Sequence, residues 1–134
     1  MGMEATHYTI IGYDLTAFQT DKFDNWKWTE EGEKYLNYQS KGNVQFFDDP
    51  TSGDYLYFGY ILSENSEYSD EKSTYLIEDI QRQIPYVESK LTELARIGII
   101  SGNLEYGKIQ FISFVEWRWK IGFNVEVVSI KAHL

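Results

Sequence analysis

His7 and Thr9 flank Tyr8 in a run of strand-forming residues, which puts an imidazole and a hydroxyl on one strand face. Such a pair is half of an acid–base device, in which one histidine takes a proton and a second returns one to the leaving group. The second histidine is His133, followed only by Leu134, and it has no hydroxyl partner two residues on. His7 therefore reads as an ordinary strand histidine. Asp48, Asp49 and Asp54 form an acidic cluster of the kind that supplies oxygen ligands to hard cations. Their spacing is not that of a calcium-binding loop, and Pro50 stiffens the middle; a polar turn needs the same residue types. Glu30, Glu31 and Glu33 follow Thr29 as acids follow a helix cap, and they also offer charge to a basic partner. Trp117, Arg118 and Trp119, next to Glu116, join Tyr13, Tyr55 and Tyr57 as rings able to form a stacking platform or an interface. Asp14, Asp54 and Glu116 are the carboxylates left for hydrolysis, and no spacing singles out a pair among them.

Composition narrows the chemistry further. The chain has 134 residues and no cysteine, so disulfides, thiolate nucleophiles and cysteine-held metals are excluded. No glycine-rich phosphate loop, nucleophile elbow or zinc-binding helix motif is present. Net charge is −9, concentrated in residues 1–67, where 12 acids face 4 bases. A nucleic-acid ligand, which demands Lys and Arg, is disfavoured; a basic protein partner is not. The start has neither a basic segment nor an apolar run, and no stretch is long enough to cross a bilayer as a helix. With no disulfide to form, a reducing cytoplasm is the expected setting. Met1-Gly2 ahead of Met3 reads as a cloning remnant or a disordered start to a single domain spanning 1–134.

The elements that position these residues follow from periodicity. Ala5–Leu15 is a strand, with His7, Thr9, Ile11 and Tyr13 on one face and Tyr8, Ile10 and Gly12 on the other. Thr16–Trp28 has no clean period and reads as a loop laid on the body through Phe18, Phe23 and Trp26. A short helix follows Thr29 and ends at Lys41-Gly42-Asn43. Val44–Phe47 and Tyr55–Leu62 form a hairpin. Ile77, Ile80, Ile84, Val87, Leu91 and Leu94 make one stripe of a long helix, capped by Ser69 or Ser73 and stopped by Gly98. Pro85 predicts a kink or two abutting helices. Lys108–Trp119 and Phe123–Lys131 are the last strands.

The order β-α-β-β-α-β-β predicts an α+β domain with a ferredoxin-like (split βαβ) arrangement, an extra C-terminal strand, and helices on one face of a mainly antiparallel sheet. The strands are apolar on both faces, yet the helices cover one. The other face must then be covered by a second subunit, by the 16–28 segment or by a ligand. The expectation is a non-enzymatic cytoplasmic interaction protein without cofactor or metal. It would self-associate through a face bearing Tyr13, Tyr55, Tyr57, Phe111, Trp117 and Trp119. An acidic surface of Glu30, Glu31, Glu33, Asp48, Asp49 and Asp54 would be free for a basic partner, as in a small bacterial or phage-encoded modulator. The alternative is a small-molecule pocket between the open sheet face and the 16–28 segment.

Overall fold

The computed structural model describes residues 3–36, 42–48, 54–66, 74–101, 107–121 and 124–132; for residues 3–4 and from 117 onward it describes the backbone alone. Within these residues the chain is α+β. Five strands, β1 (Met3–Asp14), β2 (Val44–Asp48), β3 (Leu56–Ser66), β4 (Gln110–Ile121) and β5 (Asn124–Ala132), form an antiparallel sheet in the order β2-β3-β1-β4-β5. The helices are α1 (Asp21–Trp26), α2 (Glu30–Leu36) and α3 (Ile77–Arg96), with a 3-10 turn at Thr16–Phe18.

One face of the sheet packs on the helices. Tyr13, Phe46 and Phe58 meet Val87, Leu91 and Leu94, the C-terminal half of the apolar stripe on α3. The 16–28 segment belongs to this face. Its rings come from helical turns: Thr20 caps α1 by accepting from the Phe23 amide at 3.3 Å, and Phe23 and Trp26 pack on Phe46 at 5.1 and 5.9 Å between ring centroids. The loop expected there is thus helical, and it lies on the helix side. Thr29 caps α2 as expected, accepting from the Gly32 amide at 3.1 Å. A single helix runs through Pro85, so the two-helix alternative does not hold, and α3 ends where Gly98 turns the backbone to φ 82°. Ser69, Ser73 and Lys41 lie outside the described residues.

The opposite face buries itself. Register places Phe47 beside Tyr57 and Tyr57 beside Asp14, six residues along β1 from Tyr8. On a flat sheet six residues span about 20 Å. Yet the Tyr8 and Phe47 ring centroids are 4.8 Å apart, and Phe114, paired with Tyr8, lies 5.1 Å from Tyr57. The two ends of the sheet must therefore bend toward each other. The crease is a facing pair of glycines, Gly12 on β1 and Gly59 on β3. A Cβ on Gly12 would lie 1.9 Å from the Phe58 carbonyl oxygen, and one on Gly59 would lie 2.4 Å from that of Ile11. Two strands approaching this closely leave no room for side chains on the inside of the bend. A register shift between Thr9 and Ile10 adds to the bend. Tyr8, Ile10, Phe47, Tyr57, Ile61 and Phe114 fill the concave side, each at most 3% exposed.

Candidate functional site

The bend redistributes the residues expected to form a recognition face. Tyr55 and Tyr57 are interior, 1% and 3% exposed, because the sheet closes over them. Tyr13 is interior on the opposite side, 7% exposed in the helix-packed core. None of the three is available to a partner, and where the side chains are described the second face is covered by the sheet's own rings. Trp117 and Trp119 pair with Ala5 and Met3 across β1, and their side chains lie outside the described residues. Phe111 is the exception. It pairs with Ile11 on the helix side of the sheet and is 57% exposed. Helix α3 packs on β1 and β3, and its footprint leaves a strip open on β1 and β4. Phe111, Ser113 and a half-buried Val115 carry the strip on β4; His7 and Thr9 carry it on β1, with Thr9 Oγ1 3.0 Å from Ser113 Oγ.

The acidic residues separate likewise. Glu30, Glu31 and Glu33 are exposed in the first turn of α2, and Asp54 is exposed before β3. Asp48 is not a free surface charge: its Oδ2 holds Lys27 Nζ at 2.9 Å, both groups largely buried, which ties α1 to β2. Asp49 lies outside the described residues. Asp14 accepts from the Thr16 amide at 3.0 Å and from the Thr16 hydroxyl at 2.5 Å, closing the turn after β1. Among the described residues no three histidine or carboxylate side chains converge as metal ligands.

Sequence reasoning missed a buried polar contact. Glu116, 4% exposed on β4, accepts from the Tyr55 hydroxyl at 3.4 Å and so ties β4 to the start of β3 across the concave side. Glu116 shares the β4 face of Ile112 and Phe114, and the bend closes that face around it. Nearby, burial and the Asp14 carboxylate push the Tyr57 phenol up to about 12, and burial with Glu88 raises that of Tyr13. Both phenols hold their protons in the folded state after the unfolded chain has lost them. Between pH 10 and 12, therefore, the folded state binds more protons, and stability falls as pH rises, by up to about 1.4 kcal/mol per pH unit for Tyr57. A melting temperature that drops through this window, with a weaker drop in Tyr57→Phe, is the expected result.

Among the described residues, two grooves lie on the helix side. One of about 260 Å³ lies between α2 and α3 and is lined by Trp26, Tyr35 and Ile97 with Glu31, Lys34 and Glu93. The Trp26 indole N–H beside it is buried with no acceptor among the described residues. The other, of about 480 Å³, lies between β3 and the start of α3, with Tyr60, Leu62, Tyr75, Leu76 and Ile80 in its walls. Tyr75 is pinned there by its hydroxyl, which donates to Ser63 Oγ at 2.8 Å. Among the described residues no helix is long and apolar enough to cross a membrane. No protein family, curated protein or solved structure matches this chain.

Proposed function

We propose that this chain is a non-enzymatic interaction protein that self-associates through the open strip on β4. The observation that carries this reading is Phe111: a large ring, 57% exposed, on a strand the helices leave uncovered. An exposed ring gains by meeting an apolar surface, and a second copy of the same strip is the simplest one. The strand order β2-β3-β1-β4, with helices in the β1–β2 and β3–β4 connections, supports a ferredoxin-like arrangement extended by β5. The absence of cysteine supports a cytoplasmic setting. The acids of α2 remain free for a basic partner.

Phe111→Glu places a charge on the strip without entering either core. By multi-angle light scattering the wild-type chain is expected to run as a dimer or larger, and the variant as a monomer with an unchanged circular dichroism spectrum. A wild-type chain that stays monomeric at high concentration overturns self-association. The small-molecule reading loses the pocket first expected for it, because the 16–28 segment packs on the helix side and the concave side is filled by its own rings.

A further inference from the structure

The open strip on β1 and β4 carries one histidine. His7, left without a catalytic mate, is exposed on β1 and shares the face of Phe111. Register fixes its surroundings. Val115 of β4 and Asn65 of β3 flank it, and Ala5 and Thr9 precede and follow it on its own strand face. None of these carries a charge. Glu64 and Glu116 pair with Tyr8 and Thr6, which take the other face of the sheet. Tyr75 reaches this side with its hydroxyl on Ser63, the β3 partner of Thr9, and a phenol is uncharged near neutral pH. From α3, Glu88 acts on Tyr13, six residues along β1; Asp79 is paired with Arg82 at 2.6 Å, and Glu78 is exposed in the first turn. Among the described residues the strip of His7, Thr9, Phe111, Ser113 and Val115 is therefore neutral when the imidazole is. That sets it apart on a chain in which 21 acids and 12 bases give a net charge of −9. Two copies meeting through the acids of α2 bring like charges together; two copies meeting through this strip do not.

His7 lies within reach of such a contact. Phe111 pairs with Ile11, four residues along β1 from His7, so the two positions are about 14 Å apart across the strip. A standard interface buries about 800 Å² per partner, a patch of about 16 Å radius. A contact centred on Phe111 therefore covers His7 in each copy. An imidazole gains a proton as pH falls from about 8 to about 5. On the separate chain that charge is solvated. In the contact it is buried without a carboxylate partner, and two-fold symmetry supplies one such charge from each copy. We infer that self-association through the strip is gated by His7: copies associate while the imidazole is neutral and separate when it is protonated. This rests on the self-association reading. Protonation also makes the whole chain less negative, which favours association. That repulsion is spread over the surface and screened beyond about 8 Å at physiological salt, so the charge inside the contact decides.

The test is a dilution series of the full chain, followed by light scattering in ~0.15 M salt at about pH 7.5 and about pH 5.5. The dissociation constant is expected to rise about tenfold or more between the two, because each copy must shed a proton to associate. His7→Gln, which stays polar and cannot take the charge, should associate equally at both. His133→Gln, which removes the other histidine, should keep the wild-type dependence. His7→Arg, charged at either pH, should be monomeric throughout. Because His7 is exposed, all three variants are expected to fold, with circular dichroism as the check. The His7→Arg arm, read at about pH 7.5 alone, decides the matter without exposing the chain to acid. A wild-type chain that is monomeric at both pH values overturns the self-association reading itself. A wild-type dimer of equal strength at both, a His7→Gln chain that still separates in acid, or a His7→Arg chain that still associates overturns the gate alone.

Discussion

Gly12→Ala is expected to cost about 3 kcal/mol or more, at or beyond the upper end for overpacking and a large fraction of the stability of a domain this size. A single methyl group causes this because of where it must go. Its position is 1.9 Å from the Phe58 carbonyl oxygen and 2.6 Å from the Gly59 Cα. These are backbone atoms, so no side-chain rotation relieves the clash; the strands must separate at the crease. Gly59→Ala meets the Ile11 carbonyl oxygen at 2.4 Å and is expected to behave alike. Once the strands part, the rings that meet across the bend lose contact as well. Urea denaturation measures the effect, and a Gly12→Ala midpoint equal to wild type would remove the crease as the cause of the buried concave side.

Phe114→Ala is expected to cost about 3–5 kcal/mol, the range for emptying a buried aromatic site. Phe114 is fully buried and touches rings from three other strands: Tyr8 at 5.6 Å, Phe47 at 4.9 Å and Tyr57 at 5.1 Å between centroids. Because those neighbours arrive from both sides of the bend, they cannot all close on the space left behind. Phe111→Ala, three residues away on the same strand and outside both cores, should stay within about 0.5 kcal/mol of wild type at protein concentrations too low for copies to associate. The contrast between two phenylalanines on one strand, read from the same denaturation curves, checks the assignment of faces. Similar losses for both would mean that Phe111 is covered in solution, as the self-association proposal requires at high concentration.

Much of this architecture was legible as periodicity. Alternation along Leu56, Tyr57 and Phe58 placed the two faces of β3 correctly, because each strand obeys a period of two whatever the sheet does. The stripe from Val87 to Leu94 and the stop at Gly98 were equally plain. The closure of the concave side was not, since it depends on Gly12 meeting Gly59, and that pairing is a matter of register between distant strands. A glycine inside the aromatic run of β3 was the available signal, because such a residue marks a bend or a close backbone approach. The 16–28 segment reads as a loop because α1 has six residues, too few to display a helical period. Tyr55, Tyr57 and Tyr13 read as a recognition surface because rings at strand positions look alike whether they face a partner or their own fold.

The central position of β1 has a consequence for how the chain is made. This strand leaves the ribosome before both its neighbours, and the contact between Thr9 and Ser113 closes a loop of 104 residues. Until β4 is synthesised, β1 has one edge without a hydrogen-bonding partner, and Tyr8 lacks Phe114 to stack on. The β2–β3 hairpin is local and can form early; the final sheet must wait for β4 and β5. Acquisition of the native state should therefore be governed by a long-distance closure, in the millisecond-to-second range typical of non-local strand pairing. A nascent chain arrested before β4 would present an open strand edge, and chaperone dependence is most to be expected at that stage of synthesis.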